Sequence, residues 1–361
     1  MSQLDRSELW ERIDARSMRD LLTGFPQQLR DGLERVRELV FPASSPMHNV
    51  VVLGMGGSAI GGDVARAAVS DLLRVPLLVN RDCRVPAFVG PQTLAIASSY
   101  SGNTDETIAA YGAARRAGAW VACLSSGGKL VQMAQRDGRP VLRMPGGLPP
   151  RAALGYSTVM ILGVLSAAQL VPDMRGAVEE AAGILTSMSH KLRPEVPAAD
   201  NPAKSLASDL HGKLVAIYAA GGILGCAAYR WRCQIEENAK TLALHHTLPE
   251  MDHNELVGWE MPPELLRRTA VVFLRDCAET PDFRHRVSLT RKLVQRRSGS
   301  VHEVFSSGDS PLARILSAIY FGDFVSYYLA CLNSVDPTPV EVIEMLKKEL
   351  AALSIDDQEG R

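Results

Sequence analysis

The chain has 361 residues, a length typical of about two domains. Its 39 Lys and Arg residues against 40 Asp and Glu residues give a net charge of −1. A protein that binds nucleic acid or an anionic membrane over a wide face usually carries an excess of positive charge, so neither nucleic acid nor a membrane is expected as a partner.

Three features favour a cytoplasmic protein. The longest uninterrupted apolar runs, residues 156–171 and 214–229, are shorter than the ~18–20 residues that cross a bilayer. The charged first residues lack the apolar core of a signal peptide. The six cysteines are scattered without a CxxC pair, which favours reduced thiols over a disulfide framework or a zinc ribbon.

Residues 1–48 are predicted to be helical, and their mixed charge favours a packing role over a DNA-reading one. Short strands alternating with helices follow, which is typical of a parallel sheet in an α/β layer fold. The predicted strands are residues 49–54, 77–79, 94–97, 120–124 and 141–143, and the predicted helices between them include 59–73 and 104–117.

Residues 190–203 contain three prolines and few large apolar residues, so they are predicted to separate two α/β units, 49–190 and 204–353. Long helices near 311–332 and 340–353 are predicted to close the second unit. Residues 354–361 are predicted to form a disordered tail.

The second unit repeats the pattern of the first. The segment KLVAIYAAGGILG, which starts at Lys213, resembles NVVVLGMGGSAIGG, which starts at Asn49. Further along, GSVHEVFSSG from Gly299 resembles GAWVACLSSG from Gly118. We interpret both matches as an internal duplication of one α/β unit. The alternative is that any two strand–helix units look alike.

Small hydroxyl residues are concentrated where a buried-type strand meets a helix, at residues 98–107, with the sequence SSYSGNTDET. Hydroxyl groups, together with the free N–H groups at a helix start, can hold a phosphate monoester without a lysine. Gly102 would let the backbone bend close to the anion. An ordinary helix cap of Ser, Asn and Thr is the alternative, and these residues alone favour neither.

The glycine-rich turn after the first strand permits two interpretations. It fits loosely a dinucleotide fingerprint, Gly54-x-Gly56-x-x-Ala59, in which an acidic residue should follow about 20 residues later at a strand end. Asp82 lies near that place, so a nicotinamide dehydrogenase stays open at this point. That interpretation leaves the hydroxyl residues unexplained.

A carboxylate near the end of the predicted helix 223–240 is a candidate general base. Glu236 and Lys240 have the i, i+4 spacing of an exposed ion pair, which leaves Glu237 on a different face. A carboxylate on a partly buried face can act as a general base. The alternative is an ordinary surface carboxylate.

Polar residues crowd the segment 245–255. His245, His246, His253 and Glu255 could ligate a metal, but their spacing matches no familiar metal site. The alternative is a solvated loop.

The hydroxyl segment resembles the phosphate loop of the sugar isomerase (SIS) domain, SxSGxTxET, which stands here as SYSGNTDET. The glycine-rich turn before it also fits SIS domains. The resemblance implies phosphate contacts from Ser99, Ser101 and Thr104 and sugar contacts from Gly56, Gly57 and Ser58.

Further motifs over nearly the whole chain resemble the bifunctional phosphoglucose/phosphomannose isomerases. The Glu of ENAK is the catalytic base of that family, which implies this role for Glu237. The His of PExxHNExxGW assists ring opening from the partner subunit, which implies this for His253. The arginine of PRxxLGY faces the developing enediolate in that family, which implies this role for Arg151. The lysine of the family's closing motif enters the site, which implies this for Lys347 or, less well in register, for Lys348.

Two departures from the family pattern stand out. Glu236 occupies a position where the family usually has Asn. The second unit has DCAETP, from Asp276, in place of a hydroxyl loop, so one phosphate site per chain is expected.

The resemblance implies an α/β fold of two flavodoxin-like, three-layer αβα SIS domains with parallel sheets, plus terminal helices. It implies an isomerase that converts glucose 6-phosphate or mannose 6-phosphate to fructose 6-phosphate through a cis-enediol, with no cofactor and no metal. It also implies a homodimer in which His253 crosses the interface. The alternatives are a non-catalytic phosphosugar sensor or an isomerase of another phosphosugar, and the presence of both Glu237 and His253 counts against a sensor.

Overall fold

The computed structural model describes residues 2–37, 39, 41 and 46–359. The described part of the N-terminal segment holds the helices α1 Ser7–Ile13, α2 Met18–Thr23 and α3 Phe25–Val36. Residues 1, 38, 40 and 42–45 of the predicted helical segment lie outside the described residues. The buried Asp14 accepts the N–H groups of Met18 and Arg19 at 2.6 and 3.0 Å, which fixes the start of α2 against the end of α1.

The first sheet, within the described residues, has five parallel strands in the order β2-β1-β3-β4-β5. Its strands are β1 Asn49–Leu53, β2 Leu77–Asn80, β3 Thr93–Ser98, β4 Trp120–Ser125 and β5 Val141–Arg143. Its helices are α4 Gly56–Ala68, α5 Asp105–Arg116, α6 Gly128–Arg136 and α7 Leu154–Ala167. This order is the flavodoxin-like one, with its switch point between β1 and β3, so the prediction for this unit is confirmed.

Two helices, α8 Arg175–Leu192 and α9 Pro202–Leu210, connect the two sheets. Asn201 caps α9 by accepting the N–H groups of Ala203 and Lys204, and the Lys204 ammonium donates to Pro194 O at 2.8 Å. The proline-rich segment is thus held at both ends. The predicted boundary at 190–203 includes this segment, and as a domain boundary it stays a prediction.

The second sheet, as far as the chain is described, has four parallel strands in the order β7-β6-β8-β9. Its strands are β6 Leu214–Ala219, β7 Ala243–Thr247, β8 Thr269–Arg275 and β9 Ser300–Phe305. Its helices are α10 Gly225–Ala239, α11 Glu255–Gly258, α12 Pro263–Arg267, α13 Pro281–Gln295, α14 Pro311–Leu332 and α15 Glu341–Glu359. The order repeats β2-β1-β3-β4, and the two pairs of similar segments fall on equivalent strands, β1 with β6 and β4 with β9. A duplication would place them in this way.

The edge strand β7 differs from the sequence-based expectation. The segment around His245 and His246 was interpreted as a possible metal site or a solvated loop, and a strand was not predicted, but it pairs in parallel with β6. An edge strand bonds on one side only and stays partly exposed, so it tolerates polar side chains that a central strand would exclude. The polar composition therefore hid the strand.

Both sheets are buried on both faces, which gives the predicted layers. Val50 of β1 and Val215 of β6 belong to one central cluster, whereas their neighbours Val51 and Ala216 belong to separate outer clusters. Alternate residues of a strand point to opposite faces, so each sheet has helices on both sides. The three-layer prediction is confirmed.

The long apolar helix α14 lies in the core. Among the described residues it is long and apolar enough to cross a membrane by length and composition, but 89% of its most apolar window is buried inside the protein. It packs on α8, α9 and α10, and the Trp231 indole N–H donates to its Ala318 O at 2.8 Å. The helix itself was predicted, but it was not among the longest uninterrupted apolar runs because Arg314 and Asp323 interrupt its sequence.

The last helix, α15, extends beyond its predicted end. Its backbone is helical through Glu359, where a disordered tail was expected from residue 354. The segment 354–359 contains no glycine or proline to stop the helix, and the next glycine or proline along the chain is Gly360. Residues 360 and 361 lie outside the described residues. Residues 341–350 are all exposed.

Candidate active site

The hydroxyl loop, residues 99–104, connects the end of β3 to the start of α5. Ser99 is buried, and its Oγ donates to Thr104 Oγ1 at 3.1 Å and accepts the N–H of Gly102 at 3.2 Å. Ser101 is exposed. The three predicted phosphate ligands therefore surround one tight turn.

The start of α5 adds backbone donors to this loop. The first hydrogen bond of the helix runs from Ile108 N–H to Thr104 O, so the N–H groups of residues 105–107 precede it. These groups carry the positive end of the helix dipole. Hydroxyl and N–H donors that converge at a helix start are an anion-binding arrangement.

A second loop, residues 125–128, connects the end of β4 to the start of α6 and supports the hydroxyl loop. Ser126 donates from its N–H and its Oγ to Tyr100 O at 2.9 and 2.7 Å. Gly102 has a φ of +67°, and a Cβ added there would lie 1.8 Å from Gly127 O, so only glycine fits. In the sequence, the segment Ser125-Ser126-Gly127 was interpreted only as a sign of duplication. Its position at the carboxyl end of a neighbouring parallel strand is the signal that could have placed it beside the hydroxyl loop.

The glycine-rich turn joins the hydroxyl loop to Arg151. Ser58 Oγ accepts the N–H of Tyr100 at 3.1 Å, and its hydroxyl proton can be donated to a ligand. Gly56 begins α4 with a φ of +48°. A Cβ added at Gly57 would lie 3.1 Å from the Cα of Arg151, which leaves no room for a larger residue without displacing that backbone.

Arg151 lies in a 3₁₀ turn, Pro150–Ala153, and only 4% of its surface is exposed. Its Nε donates to Asn238 Oδ1 at 2.8 Å, and its Nη2 donates to Pro337 O and Thr338 O at 2.7 and 2.8 Å. Its remaining nitrogen, Nη1, lies 3.5 Å from Glu237 Oε2. Burial lowers the pKa of Arg151, while the Glu237 carboxylate opposes that shift.

Glu237 lies in the last turn of α10, and 31% of its side chain is exposed. It opens into a cleft of about 810 Å³. The cleft is lined by residues of α10, of the segment after it and of the C-terminal segment, including Cys233, Lys240, Asp336 and residues 339–343. Glu237 therefore has contact both with a buried cation and with a space that a ligand could enter.

The predicted ion pair between Glu236 and Lys240 is wrong. Glu236 pairs with Arg232 at 3.6 Å, and the Lys240 ammonium donates to Pro339 O at 2.7 Å and to Glu237 O. Lys240 has a φ of +55°, so α10 has already ended there, and its side chain turns back onto the last carbonyls. Burial, followed by the charge of Arg151, lowers the pKa of Lys240.

Of the predicted site residues, all of which are described, Glu237 alone lines this cleft; the hydroxyl loop, the glycine-rich turn and Arg151 lie outside its lining. His253 ends the 3₁₀ turn Glu250–His253 and is exposed, and Lys347 is exposed on α15, as is Lys348. Among the described residues, none of the three lines the Glu237 cleft.

The metal-site alternative finds no support in the described part of the chain, where no three His, Cys, Asp or Glu side chains are grouped to hold an ion. Burial, with the charge of Arg232, lowers the pKa of His245 to about 4, and its ring stacks on Tyr229. Glu255 accepts the hydroxyl of Tyr218. The polar cluster therefore consists of separately engaged side chains.

A buried ion pair behind Arg151 was missed by the sequence analysis. Arg230 and Asp323 pair at 2.8 Å with almost no exposure, and Arg230 also donates to Arg151 O at 3.1 Å. Burial raises the pKa of Asp323, and the charge of Arg230 opposes that rise. The sequence signal for this pair was Asp323, a charged residue inside the apolar helix α14, because a buried charge needs a partner of opposite charge.

The fold defines the class of protein. The chain is similar in structure to a glucose-6-phosphate isomerase like protein from Thermus thermophilus, with a TM-score of 0.62 and 22% identity over 96% of this chain and 99% of that one. Residues 199–350 match the family described as bacterial phospho-glucose isomerase C-terminal SIS domain. The fold is that of the SIS sugar isomerases.

Sequence similarity narrows the class to one family. The chain is 40% identical to a bifunctional phosphoglucose/phosphomannose isomerase of Caldicellulosiruptor bescii, over 91% of this chain and 97% of that protein. It is 32% identical to the enzyme of the same name from Thermoplasma acidophilum, over the same shares of each chain. The chain belongs to the family of bifunctional phosphoglucose/phosphomannose isomerases.

Proposed function

We propose that this protein is an aldose–ketose isomerase that interconverts glucose 6-phosphate and mannose 6-phosphate with fructose 6-phosphate. Its relatives are named for both activities. The observation that supports the proposal most directly is the Glu237 carboxylate, which opens into a cleft 3.5 Å from the buried guanidinium of Arg151. Proton removal next to a carbonyl requires a base, and a fixed cation stabilises the charge that results.

In this proposal the hydroxyl loop binds the phosphate. Its hydroxyl groups and the N–H groups at the start of α5 supply the donors without a lysine. The loop is braced by the 125–128 loop, which holds its backbone in place before the ligand arrives, and Ser99 turns its hydroxyl proton from Thr104 Oγ1 to the phosphate when the ligand binds. The phosphate ligands are Ser99, Ser101 and Thr104, and the sugar contacts are Gly56, Gly57 and Ser58.

The reaction moves one proton between adjacent carbons. Once the ring is open, Glu237 takes the proton from C2 of the aldose, the C–H electrons form the C1–C2 double bond, and the electrons of the C1 carbonyl move onto O1 to give the enediolate. The O2 proton passes to O1, the electrons left on O2 form the C2 carbonyl, and the C1–C2 double-bond electrons take the proton back from Glu237 at C1. The product is fructose 6-phosphate, and the reverse path regenerates the aldose.

Arg151 stabilises the enediolate. Two of its three nitrogens are occupied by protein acceptors, so Nη1 is the one that remains to meet the developing negative charge. The enediol is planar, and a proton returned to C2 on one face gives glucose 6-phosphate and on the other gives mannose 6-phosphate. A C2 hydroxyl that is loosely held would permit both.

The active form in this proposal is a homodimer. His253 of the partner subunit moves the proton between the ring oxygen and O1 that opens the ring. The exposure of His253 in one chain supports this, because an exposed histidine is free to enter the site of a partner subunit. Lys347, or Lys348, contacts the substrate from α15, whose first residues already line the cleft.

A coupled assay tests the proposed function. We expect the purified protein to convert both glucose 6-phosphate and mannose 6-phosphate to fructose 6-phosphate, because one enediol connects all three. A phosphosugar sensor would bind these compounds without turnover. An isomerase of another phosphosugar would convert none of them, and either result would contradict the proposal.

Mixing two inactive variants tests the shared site. Glu237→Gln and His253→Ala should each be inactive alone, whereas equal amounts exchanged through dissociation and reassociation should recover about a quarter of the wild-type activity. Half of the dimers are then mixed, and each mixed dimer has one site with both native residues. If base and histidine came from the same chain, every site would carry one mutation and the mixture would stay inactive.

A further inference from the structure

A chain of buried hydrogen bonds connects α14 to the guanidinium of Arg151. Ser326 Oγ donates to Asp323 O at 2.7 Å, and Asn238 Nδ2 donates to Ser326 Oγ at 3.0 Å. Asn238 Oδ1 then accepts the Nε–H of Arg151 at 2.8 Å. Asn238 has no exposed surface and Ser326 has none either. Each link of the chain is therefore shielded from water.

This chain fixes the orientation of the Asn238 amide. The only hydroxyl proton of Ser326 is used on Asp323 O, so Ser326 can only accept from Asn238. The amide nitrogen must face Ser326, and the amide oxygen must face Arg151. A reversed amide would place a donor against the Nε–H of Arg151 and an acceptor against a hydroxyl that has no proton left to give.

The fixed amide in turn limits what Arg151 can do. The guanidinium has five N–H bonds. One binds Asn238, and the two on Nη2 serve the carbonyls of Pro337 and Thr338. The two on Nη1 remain, 3.5 Å from Glu237.

We infer that Asn238 is a positioning residue that holds Arg151 so that Nη1 faces the reacting oxygens beside Glu237. The inference rests on the proposed function, in which Nη1 stabilises the enediolate. Asn238 is not among the described residues that line the cleft. It acts through Arg151, and α14 acts through Asn238.

Two substitutions at this position separate the hydrogen bond from the packing. Asn238→Leu keeps the branching and the number of side-chain heavy atoms but is bulkier and removes the acceptor, and Asn238→Asp keeps an acceptor for Arg151 Nε. We expect Asn238→Leu to lower kcat by about 10²-fold with little change in KM, because a displaced group of this kind costs the transition state more than the ground state. Asn238→Asp should recover part of that loss, because one oxygen still accepts from Arg151 Nε, while the other is tolerated only if the Ser326 hydroxyl turns its proton from Asp323 O toward it.

Asn333→Ala is the matched control. Asn333 also donates from its side chain to this region, to Ala239 O at 2.8 Å and Thr241 Oγ1 at 2.9 Å, but it does not contact Arg151. If Asn238 only stabilises the end of α10, Asn333→Ala should reproduce the kinetics of Asn238→Leu, and the inference is overturned. Equal losses in Asn238→Leu and Asn238→Asp would overturn it as well.

A crystal structure of Asn238→Leu tests the inference without any assay. We expect the guanidinium of Arg151 to leave its position beside Glu237 while the main chain of α10 stays in place. An unmoved guanidinium would refute positioning by Asn238. A wild-type protein that turned over no hexose 6-phosphate would instead refute the proposed function, so the two failures are distinguishable.

Discussion

Glu237→Gln should lower kcat by about 10²–10⁴-fold, the usual effect of removing a positioned base, while phosphosugar binding is retained. Glutamine has nearly the shape of glutamate and can still lie beside Arg151, but it cannot take the C2 proton. The proposed phosphate donors lie on the 99–104 loop of the first unit, whose internal hydrogen bonds do not involve Glu237. The measurements are the coupled assay for turnover and calorimetric titration with fructose 6-phosphate for binding.

Exchange of substrate protons with deuterated water adds a direct readout of the same step. Wild-type protein should exchange the C2 proton of glucose 6-phosphate with solvent, because an enediol forms with the proton on Glu237. Glu237→Gln should exchange it far more slowly. A variant that isomerised at nearly the wild-type rate would remove Glu237 as the base.

Glu236→Gln is the matched control for this experiment. Glu236 is the adjacent carboxylate of the same helix, with 33% of its side chain exposed against 31% for Glu237. Glu236 also lines the cleft, but it pairs with Arg232 at 3.6 Å, whereas Arg151 pairs with Glu237. Surface pairs of this kind contribute only about 0–1 kcal/mol to stability, so the control should fold normally, and a base at Glu237 predicts that it keeps most of the wild-type rate.

Local patterns predicted the elements that depend on local sequence. The strands predicted at 49–54 and 94–97 form at Asn49–Leu53 and Thr93–Ser98, and Pro311 and Leu332 are the first and last residues of α14, as predicted. The hydroxyl loop was found because a strand, a tight turn and a helix start follow one another in the chain. These features need no knowledge of distant residues.

Contacts between distant residues could not be predicted from spacing. The i, i+4 rule assigned Lys240 to Glu236, but Lys240 turns toward carbonyls of residues almost 100 positions away. Asn238 was part of a motif but gained its role only through Ser326 of α14. Helix periodicity identifies which face a residue occupies, and the fold alone determines what that face meets.

One chain assembles part of the candidate site. The hydroxyl loop, the glycine-rich turn, Arg151 and Glu237 are connected by direct contacts, from Tyr100 through Ser58 to the turn beside Gly57. In the proposed mechanism, phosphate binding and proton abstraction therefore depend on separate units of the chain. Substitutions in the two units should have different kinetic signatures, with changes in kcat at Glu237 and changes in KM at the loop.

Gly102→Ala should raise KM for every hexose 6-phosphate by roughly 10–100-fold, with a smaller effect on kcat. Gly102 has a φ of +67°, a conformation that costs a residue with a Cβ about 1–2 kcal/mol. The new methyl group would also lie 1.8 Å from Gly127 O, so the two loops must separate. Hydrogen bonds to charged groups are worth about 1.5–3 kcal/mol each, and loss of one on the phosphate accounts for the expected change in KM.

The separation of the loops should be visible in binding as well as in kinetics. Gly102 donates to Ser99 O and Oγ and accepts from Leu130 N–H, so displacing it moves Ser99 and the start of α5 together. Inorganic phosphate should then protect the variant against thermal unfolding less than it protects the wild type. Gly146→Ala is the control, because a Cβ at that exposed loop glycine meets nothing within 4 Å. If Gly102→Ala kept the wild-type KM and the wild-type response to phosphate, the anion would bind elsewhere and the loop would be only a helix cap.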